Sequence, residues 1–116
     1  MNQIDYRFKS LYLFVCVIFS FSLFVLGGLL NAFAIGLNNG KMPVYDFYVG
    51  KSNTHFTFHE WNEIRRPILA DIFRIGDVFI FSIGDFIMFI AAILMIIQTV
   101  RLVKLKRKYE NLQKRS

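Results

Sequence analysis

Residues 10–40 read SLYLFVCVIFSFSLFVLGGLLNAFAIGLNNG and contain no Asp, Glu, Lys or Arg. This uncharged run is longer than the ~20 residues that a helix needs to cross a bilayer. A second apolar run, residues 78–100, contains one charge, Asp85. Neither run alternates polar and apolar residues as a half-exposed strand does. Both runs therefore predict membrane-spanning helices.

The composition supports the same class of protein. The chain has 116 residues, of which 55% are hydrophobic and 17% aromatic, and its mean hydropathy is +0.45. A soluble domain of this size cannot bury so much apolar surface inside itself. Disordered chains have the opposite composition, with few aromatic residues and low hydrophobicity. The sequence thus predicts an integral membrane protein.

The position of the charges predicts the orientation of the chain. The net charge is +6, and the excess lies at the two ends, mostly in residues 101–116, whereas residues 37–77 are balanced. Basic flanks of apolar segments mark the cytoplasmic side of a membrane. We therefore expect both termini to be cytoplasmic and the loop to be extracytoplasmic. Basic residues that flank apolar segments do not indicate a nucleic-acid-binding face.

The predicted fold class is an all-α membrane protein in which two transmembrane helices form a hairpin. We expect a short interfacial helix in the loop, from Phe58 to Arg66, and a basic cytoplasmic tail that continues the second helix. The predicted segments are a cytoplasmic N-terminus (1–9), transmembrane helix 1 (10–36), an extracytoplasmic loop (37–77), transmembrane helix 2 (78–100) and a basic cytoplasmic tail (101–116).

The first apolar run has an alternative interpretation as a cleaved signal peptide. Residues 32–34 read Ala-Phe-Ala, which fits the small-residue pattern of a cleavage site. The apolar stretch before this tripeptide is, however, much longer than the ~7–15 residues of the apolar region (h-region) of a signal peptide. The sequence therefore favours a membrane anchor that is retained.

Two acidic residues are candidates for chemistry. A carboxylate at the centre of a bilayer costs ~2.5–3.5 kcal/mol on insertion scales, so Asp85 is expected to have a function or a partner. The alternative is that Asp85 reaches the outer surface or pairs with Arg74 or Lys41. Asp46 lies among apolar and aromatic residues, and in a packed hairpin it can meet Asp85 at the outer mouth. Two close carboxyl groups share one proton, which supplies both a general base and a general acid.

Other polar and small residues near these acids have a structural interpretation. Asn31 lies beside a ridge of small residues spaced four apart, which are Gly28, Ala32 and Gly36. Such ridges allow helices to pack closely, and an intramembrane Asn can form a hydrogen bond across the contact. His55 and His59 are four residues apart, but the sequence around His59 is not an HExxH zinc motif. We therefore predict no metal site and no cofactor.

The chain resembles two known families. Residues 26–98, with the elements Asn-Gly-Lys-Met-Pro-Val (39–44) and Ser-Ile-Gly-Asp (82–85), resemble a family of uncharacterised bacterial membrane proteins. More distantly, the chain is similar to the C-terminal half of lipoprotein signal peptidase (signal peptidase II). The similar elements are Gly27-Gly28 with Asn31, Val44-Tyr45-Asp46-Phe47, and Phe81-Ser82-Ile83-Gly84-Asp85. The Asp-Arg pair of that enzyme falls at Ala34 and Ile35 here.

The resemblance to signal peptidase II implies an aspartic endopeptidase that acts on a membrane-anchored or lipidated peptide. Asp46 and Asp85 would be catalytic, and Asn31 and Ser82 would position the substrate.

The alternative is a non-catalytic membrane subunit. Its ridge of small residues would bind a larger membrane protein or a second copy of the chain, and its basic tail would bind anionic lipids. An ion or proton pathway around Asp85 is less favoured, because two helices cannot enclose a pore.

Overall fold

The computed structural model describes residues 1–116 of the chain. Two long helices, α1 (Gln3–Leu37) and α2 (Ile83–Arg115), are separated by a loop that contains short strands. In chain order the loop forms β1 (Met42–Tyr45), β2 (His55–Phe58), two single 3₁₀ turns (Trp61–Glu63 and Pro67–Leu69), β3 (Phe73–Ile75) and β4 (Phe79–Phe81). The fold is therefore mostly helical, and the predicted all-α class is wrong for the loop.

Both helices are long and apolar enough to cross a membrane. Only 11% of the most apolar 18-residue window of α1, and 6% of that of α2, is buried inside the protein. A core helix of a soluble protein buries most of such a window, because its apolar side chains avoid water. The low burial therefore favours a membrane as the surroundings of these helices.

The chain divides into two compact units, which are described separately. The helical unit consists of residues 1–23 and 90–116, and the mixed unit consists of residues 24–89. In the helical unit the Ser20 hydroxyl donates to Gln98 Oε1 at 2.9 Å, and the rings of Tyr6 and Tyr109 stack with centroids 4.1 Å apart. These two contacts show that the helices run antiparallel within this unit.

The core of the mixed unit forms around β1. This strand pairs in parallel with β2, and on its other edge the backbone of Val44 pairs with that of Asp71. The central position of β1 removes its side chains from solvent, and Val44 is fully buried together with Phe58 and Ala70. Residues that are distant in sequence thus build one small apolar core beside the end of α1.

The short helix predicted from Phe58 to Arg66 is not present. Residues 55–58 form β2 instead, and the only helical structure that follows before Pro67 is the 3₁₀ turn Trp61–Glu63. The aromatic and β-branched residues of this segment suit a strand, and pairing with β1 satisfies their backbone groups. Pro67 disfavours a helical conformation of Arg66, which adopts a left-handed backbone angle with φ of 52°, so a helix that runs up to Arg66 is unfavourable.

The end of α1 is fixed by its asparagines and a glycine. After Leu37, Asn39 and Gly40 adopt left-handed backbone angles, with φ of 60° and 79°. The buried Asn38 side chain binds both backbone groups of Arg65, since its Nδ2 donates to the carbonyl and its Oδ1 accepts from the N–H, each at 3.0 Å. Asn38 thereby attaches the middle of the loop to the helix end.

The hairpin of β3 and β4 leads into α2. Its antiparallel register pairs Phe73 with Phe81, so the residues just before β3 and just after β4 lie at the same end of the hairpin. Ile72 and Ser82 occupy these two places, and Asp71 directly precedes Ile72. Because α2 begins at Ile83, residues 78–82 of the second apolar run belong to the hairpin and to the helix cap.

Candidate functional site

Three polar side chains meet where α2 begins against α1. Asn31 Nδ2 donates to Asp85 Oδ1 at 2.7 Å, and the Ser82 hydroxyl donates to Asn31 Oδ1 at 2.6 Å. These residues, here called the polar triad, are Asn31, Ser82 and Asp85. The structure therefore brings together three of the four residues that sequence analysis assigned to catalysis and substrate positioning.

Ser82 and Asp85 also cap α2. Ser82 is the residue before the first helical position, and its Oγ accepts a hydrogen bond from the Asp85 N–H at 3.1 Å. In return, Asp85 Oδ2 accepts from the Ser82 N–H at 3.1 Å. This reciprocal pattern is a capping box in which Asp takes the place of the usual Glu or Gln. A carboxylate there also interacts favourably with the helix dipole.

Glycines allow the two helices to approach each other at the polar triad. A Cβ atom on Gly84 would overlap the Asn31 side chain and lie 2.6 Å from the Gly27 carbonyl oxygen. A Cβ on Gly27 would lie 2.6 Å from the Gly84 carbonyl oxygen. Both are closer than van der Waals contact permits, so the Asn31–Asp85 hydrogen bond depends on the absence of side chains at these two positions.

Asp71 is a buried acid beside the polar triad. Its backbone N–H donates to the Pro43 carbonyl at 3.0 Å, and its carbonyl accepts from Tyr45 N–H at 2.9 Å, which fixes it against β1. The residue is only 6% exposed, and its Oδ1 has no hydrogen-bond partner. Burial, together with the negative charge of Asp85, raises the pKa of Asp71 to about 7. Asp71 therefore holds a proton up to about neutral pH.

Asp46, the second predicted catalytic acid, has other contacts. Its side chain is 53% exposed and hydrogen-bonds through Oδ1 to His59 Nδ1 at 2.5 Å. The Arg74 guanidinium donates to its carbonyl oxygen at 2.7 Å. The hydrogen bond to Asp46 raises the pKa of His59. The structure thus joins Asp46 to His59 and Arg74, and no hydrogen bond joins it to Asp85.

The two histidines have separate acidic neighbours. His55 Nε2 lies 3.7 Å from Asp71 Oδ2, whereas His59 contacts Asp46. His55 is therefore the one basic side chain in contact with the buried acid.

The ridge of small residues does not form the contact with α2. A Cβ on Gly28 or on Gly36 would have no neighbour within 4 Å, and Ala32 is exposed. In the mixed unit the close contact with α2 uses Gly27 instead, which lies one residue, or about 100° around the helix, from Gly28. The ridge therefore lies open on the surface of α1.

Asp71 is not among the site residues that the sequence predicts. Asp71 is flanked by Ala70 and Ile72, and apolar flanks of this kind were the reason for choosing Asp46. The same criterion could have identified Asp71. Its burial, however, comes from the pairing with Val44, which local sequence does not reveal.

Part of the chain is similar to a protein of another organism. A protein of Thermotoga maritima described as uncharacterised is 31% identical over 77 residues, which cover 60% of this chain and 46% of the relative. The chain thus spans about half the length of this relative. No solved structure matches the chain.

A family model covers most of the sequence and confirms the resemblance to an uncharacterised family. Residues 6–97 match the model described as a family of unknown function, DUF5317. Neither this match nor the Thermotoga relative links the chain to signal peptidase II. Because the match extends over well more than half of the sequence, the chain belongs to the DUF5317 family.

Proposed function

We propose that the chain is a two-span membrane protein whose outer end carries an aspartic-type acid–base site, and that it acts as an endopeptidase on a membrane-anchored or lipidated peptide. The supporting observation is the buried Asp71, with an unpaired oxygen and a raised pKa, beside Asp85. Pairs of acids whose environments separate their proton affinities supply the acid and the base of such reactions.

The proposed placement in the membrane puts both termini in the cytoplasm and residues 37–77 outside. The support is the low burial of the apolar windows and the basic tail of residues 101–116. Lys and Arg near the ends of spanning helices favour the cytoplasmic side. In this orientation the polar triad lies at the extracytoplasmic end of both helices.

In the proposed reaction the two acids have different roles. Asp85, whose oxygens accept hydrogen bonds from the Asn31 amide and the Ser82 N–H, takes a proton from a water molecule. The water oxygen attacks the peptide carbonyl carbon. Asp71 gives its proton to the leaving nitrogen as the C–N bond breaks, and the proton on Asp85 then returns to Asp71. Asn31 holds the Asp85 carboxylate and is a positioning residue.

The resemblance to signal peptidase II predicts Asp46, rather than Asp71, as the second catalytic acid beside Asp85. The geometry supports Asp71 in preference, because Asp46 is exposed and bound to His59. The two assignments differ in a measurable way, since each names a different second carboxyl group as essential.

The test is a cleavage assay with the full chain in detergent and a diacylated prolipoprotein as substrate, with the product followed by gel shift. We expect Asp85→Asn and Asp71→Asn each to lower the rate by at least about 100-fold, which is the usual contribution of general acid–base catalysis. The matched control is Asp77→Asn, at an exposed acid in the turn of the hairpin.

The outcomes separate the hypotheses. Loss of cleavage in Asp46→Asn with retention in Asp71→Asn would support the dyad implied by the resemblance. No cleavage by the wild-type protein, with its helices intact by circular dichroism, would contradict the proposed endopeptidase activity on this substrate class.

A second candidate function is that of a non-catalytic membrane subunit. The observation in its favour is the open ridge of Gly28, Ala32 and Gly36, which α2 does not cover. Small residues at this spacing allow a helix of a partner to pack closely. Here Gly28→Leu is expected to abolish co-purification with the partner, whereas Asp85→Asn leaves it unchanged.

A further inference from the structure

A groove between the helices of the helical unit is lined by basic residues on one side of the helix pair. The cavity has a volume of about 640 Å³ and includes Lys9 of α1 with Arg101, Lys104 and Lys108 of α2. On α2 these residues are spaced by three and four, so they lie on one face of the helix. Four cations thus converge on a single groove.

None of these four cations has an acidic partner. The one ion pair in the tail joins Lys106 to Glu110, with the nitrogen and oxygen 3.9 Å apart, and Lys106 lines a second groove on the helical unit. That second groove, of about 570 Å³, contains only one other cation, Arg7. The unneutralised positive charge is therefore concentrated around Lys104 and Lys108, which also line an adjoining groove of about 460 Å³ together with Arg107 and Arg115.

The walls of the basic groove are apolar and aromatic. Tyr12, Leu13 and Leu105 line it together with the cations. Lys9 directly precedes the uncharged run that begins at Ser10, and Arg101 directly follows the second run. Cations at the edge of an apolar segment stand at the level of lipid headgroups, and the apolar wall extends toward the acyl chains.

From these observations we infer that the basic groove is a binding site for an anionic phospholipid. The headgroup phosphate contacts Lys9, Lys104 and Lys108, and an acyl chain lies along Tyr12 and Leu13. Charge complementarity favours an anionic lipid, and the apolar wall favours a lipid over a soluble polyanion. This inference rests on the proposed membrane placement but not on the acid–base site.

The test uses the purified full chain in neutral detergent micelles and measures lipid binding by native mass spectrometry. The probes are dioleoyl phosphatidylglycerol and the zwitterionic dioleoyl phosphatidylcholine. The groove variant is Lys104→Gln with Lys108→Gln, and the matched control is Arg7→Gln with Lys106→Gln on the second groove. Each variant removes two positive charges from exposed helix surface, and circular dichroism checks that the helices persist.

We expect the wild-type protein and the control variant to bind phosphatidylglycerol at least about tenfold more tightly than phosphatidylcholine. The groove variant should lose this preference, since each cation near a membrane surface contributes a several-fold increase in affinity. A variant with arginine in place of Lys104 and Lys108 should keep the preference for phosphatidylglycerol.

Three results would overturn the inference: no preference in the wild-type protein, an equal loss in both variants, or displacement of the lipid by millimolar inorganic phosphate. Binding is read without cleavage, so a negative endopeptidase assay does not affect the outcome.

Discussion

Asp71 combines deep burial with an unpaired carboxyl oxygen. An isolated charge in such a place is unfavourable, so the residue responds by keeping its proton. The charge of Asp85 acts in the same direction. The protonation of this one residue therefore couples to the stability of the mixed unit.

The raised pKa predicts how stability depends on pH. The folded protein binds the Asp71 proton more tightly than the unfolded chain does, so this contribution is fully present below about pH 4 and is lost as the pH rises through about 7. A rise of the pKa from 3.8 to about 7 corresponds to roughly 4 kcal/mol of unfolding free energy. We expect Asp71→Asn to remove most of the decrease between pH 4 and pH 8. This decrease in stability can be measured by thermal unfolding at a series of pH values, followed through the fluorescence of the single tryptophan, Trp61.

The exposed Asp77 provides the control for this measurement. Asp77→Asn should retain the pH dependence of the wild-type protein, because this exposed substitution in the turn of the hairpin leaves Asp71 and its surroundings unchanged. If Asp71→Asn shows the same decrease as the wild-type protein, then the pH dependence comes from other groups and Asp71 does not hold the proton.

The helices meet through glycines, and this decides which substitutions the pair tolerates. Gly84→Ala would place a methyl group against the Gly27 carbonyl and the Asn31 side chain. Since backbone must then move, we expect a loss of ~1–3 kcal/mol in stability. Gly28→Ala meets nothing within 4 Å, and in a helix it should be neutral or stabilising by up to ~1 kcal/mol. Thermal unfolding in micelles compares the two.

The opposite ranking would show that α2 packs on the ridge of Gly28, Ala32 and Gly36. In that case Gly28→Ala would lower the unfolding temperature, and Gly84→Ala would not. A decrease of equal size in both variants would also contradict the contact described for Gly27 and Gly84.

The sequence predicts some elements much better than others. The two helices follow from long apolar runs, and the end of α1 follows from the Asn-Asn-Gly turn. The strands of the loop do not follow from the local sequence, because β1 pairs with segments that are distant in the chain, namely residues 55–58 and Asp71. In the same way, the sequence indicated Asn31 and Asp85 as polar residues in apolar surroundings, but not the burial of Asp71, which depends on those long-range pairings.

At the scale of the whole molecule, the proposed orientation predicts which residues a reagent can reach from outside the cell. With Cys16 replaced by Ser, a single cysteine at Ser52 in the loop should react with a membrane-impermeant thiol reagent in intact cells. A single cysteine at Ser116 should react only after lysis, because the proposed orientation places the basic tail in the cytoplasm. Both positions are exposed or partly exposed, so access to the reagent is limited by the membrane rather than by burial.

Labelling of Ser116→Cys without labelling of Ser52→Cys in intact cells would reverse the proposed orientation. Labelling of both positions in intact cells would place the C-terminus on the same side as the loop, so that α2 would not span the membrane.

The hydrogen bond between Asn31 and Asp85 joins residues that are 54 positions apart in the chain. During synthesis, at ~5–20 residues per second, the Asn31 amide emerges about 3–11 s before its partner exists. In that interval α1 carries an amide without its final partner, and only the arrival of α2 satisfies it. We therefore expect α1 to be released from the insertion machinery only after Asp85 has been made. The two helices would then leave that machinery as a pair.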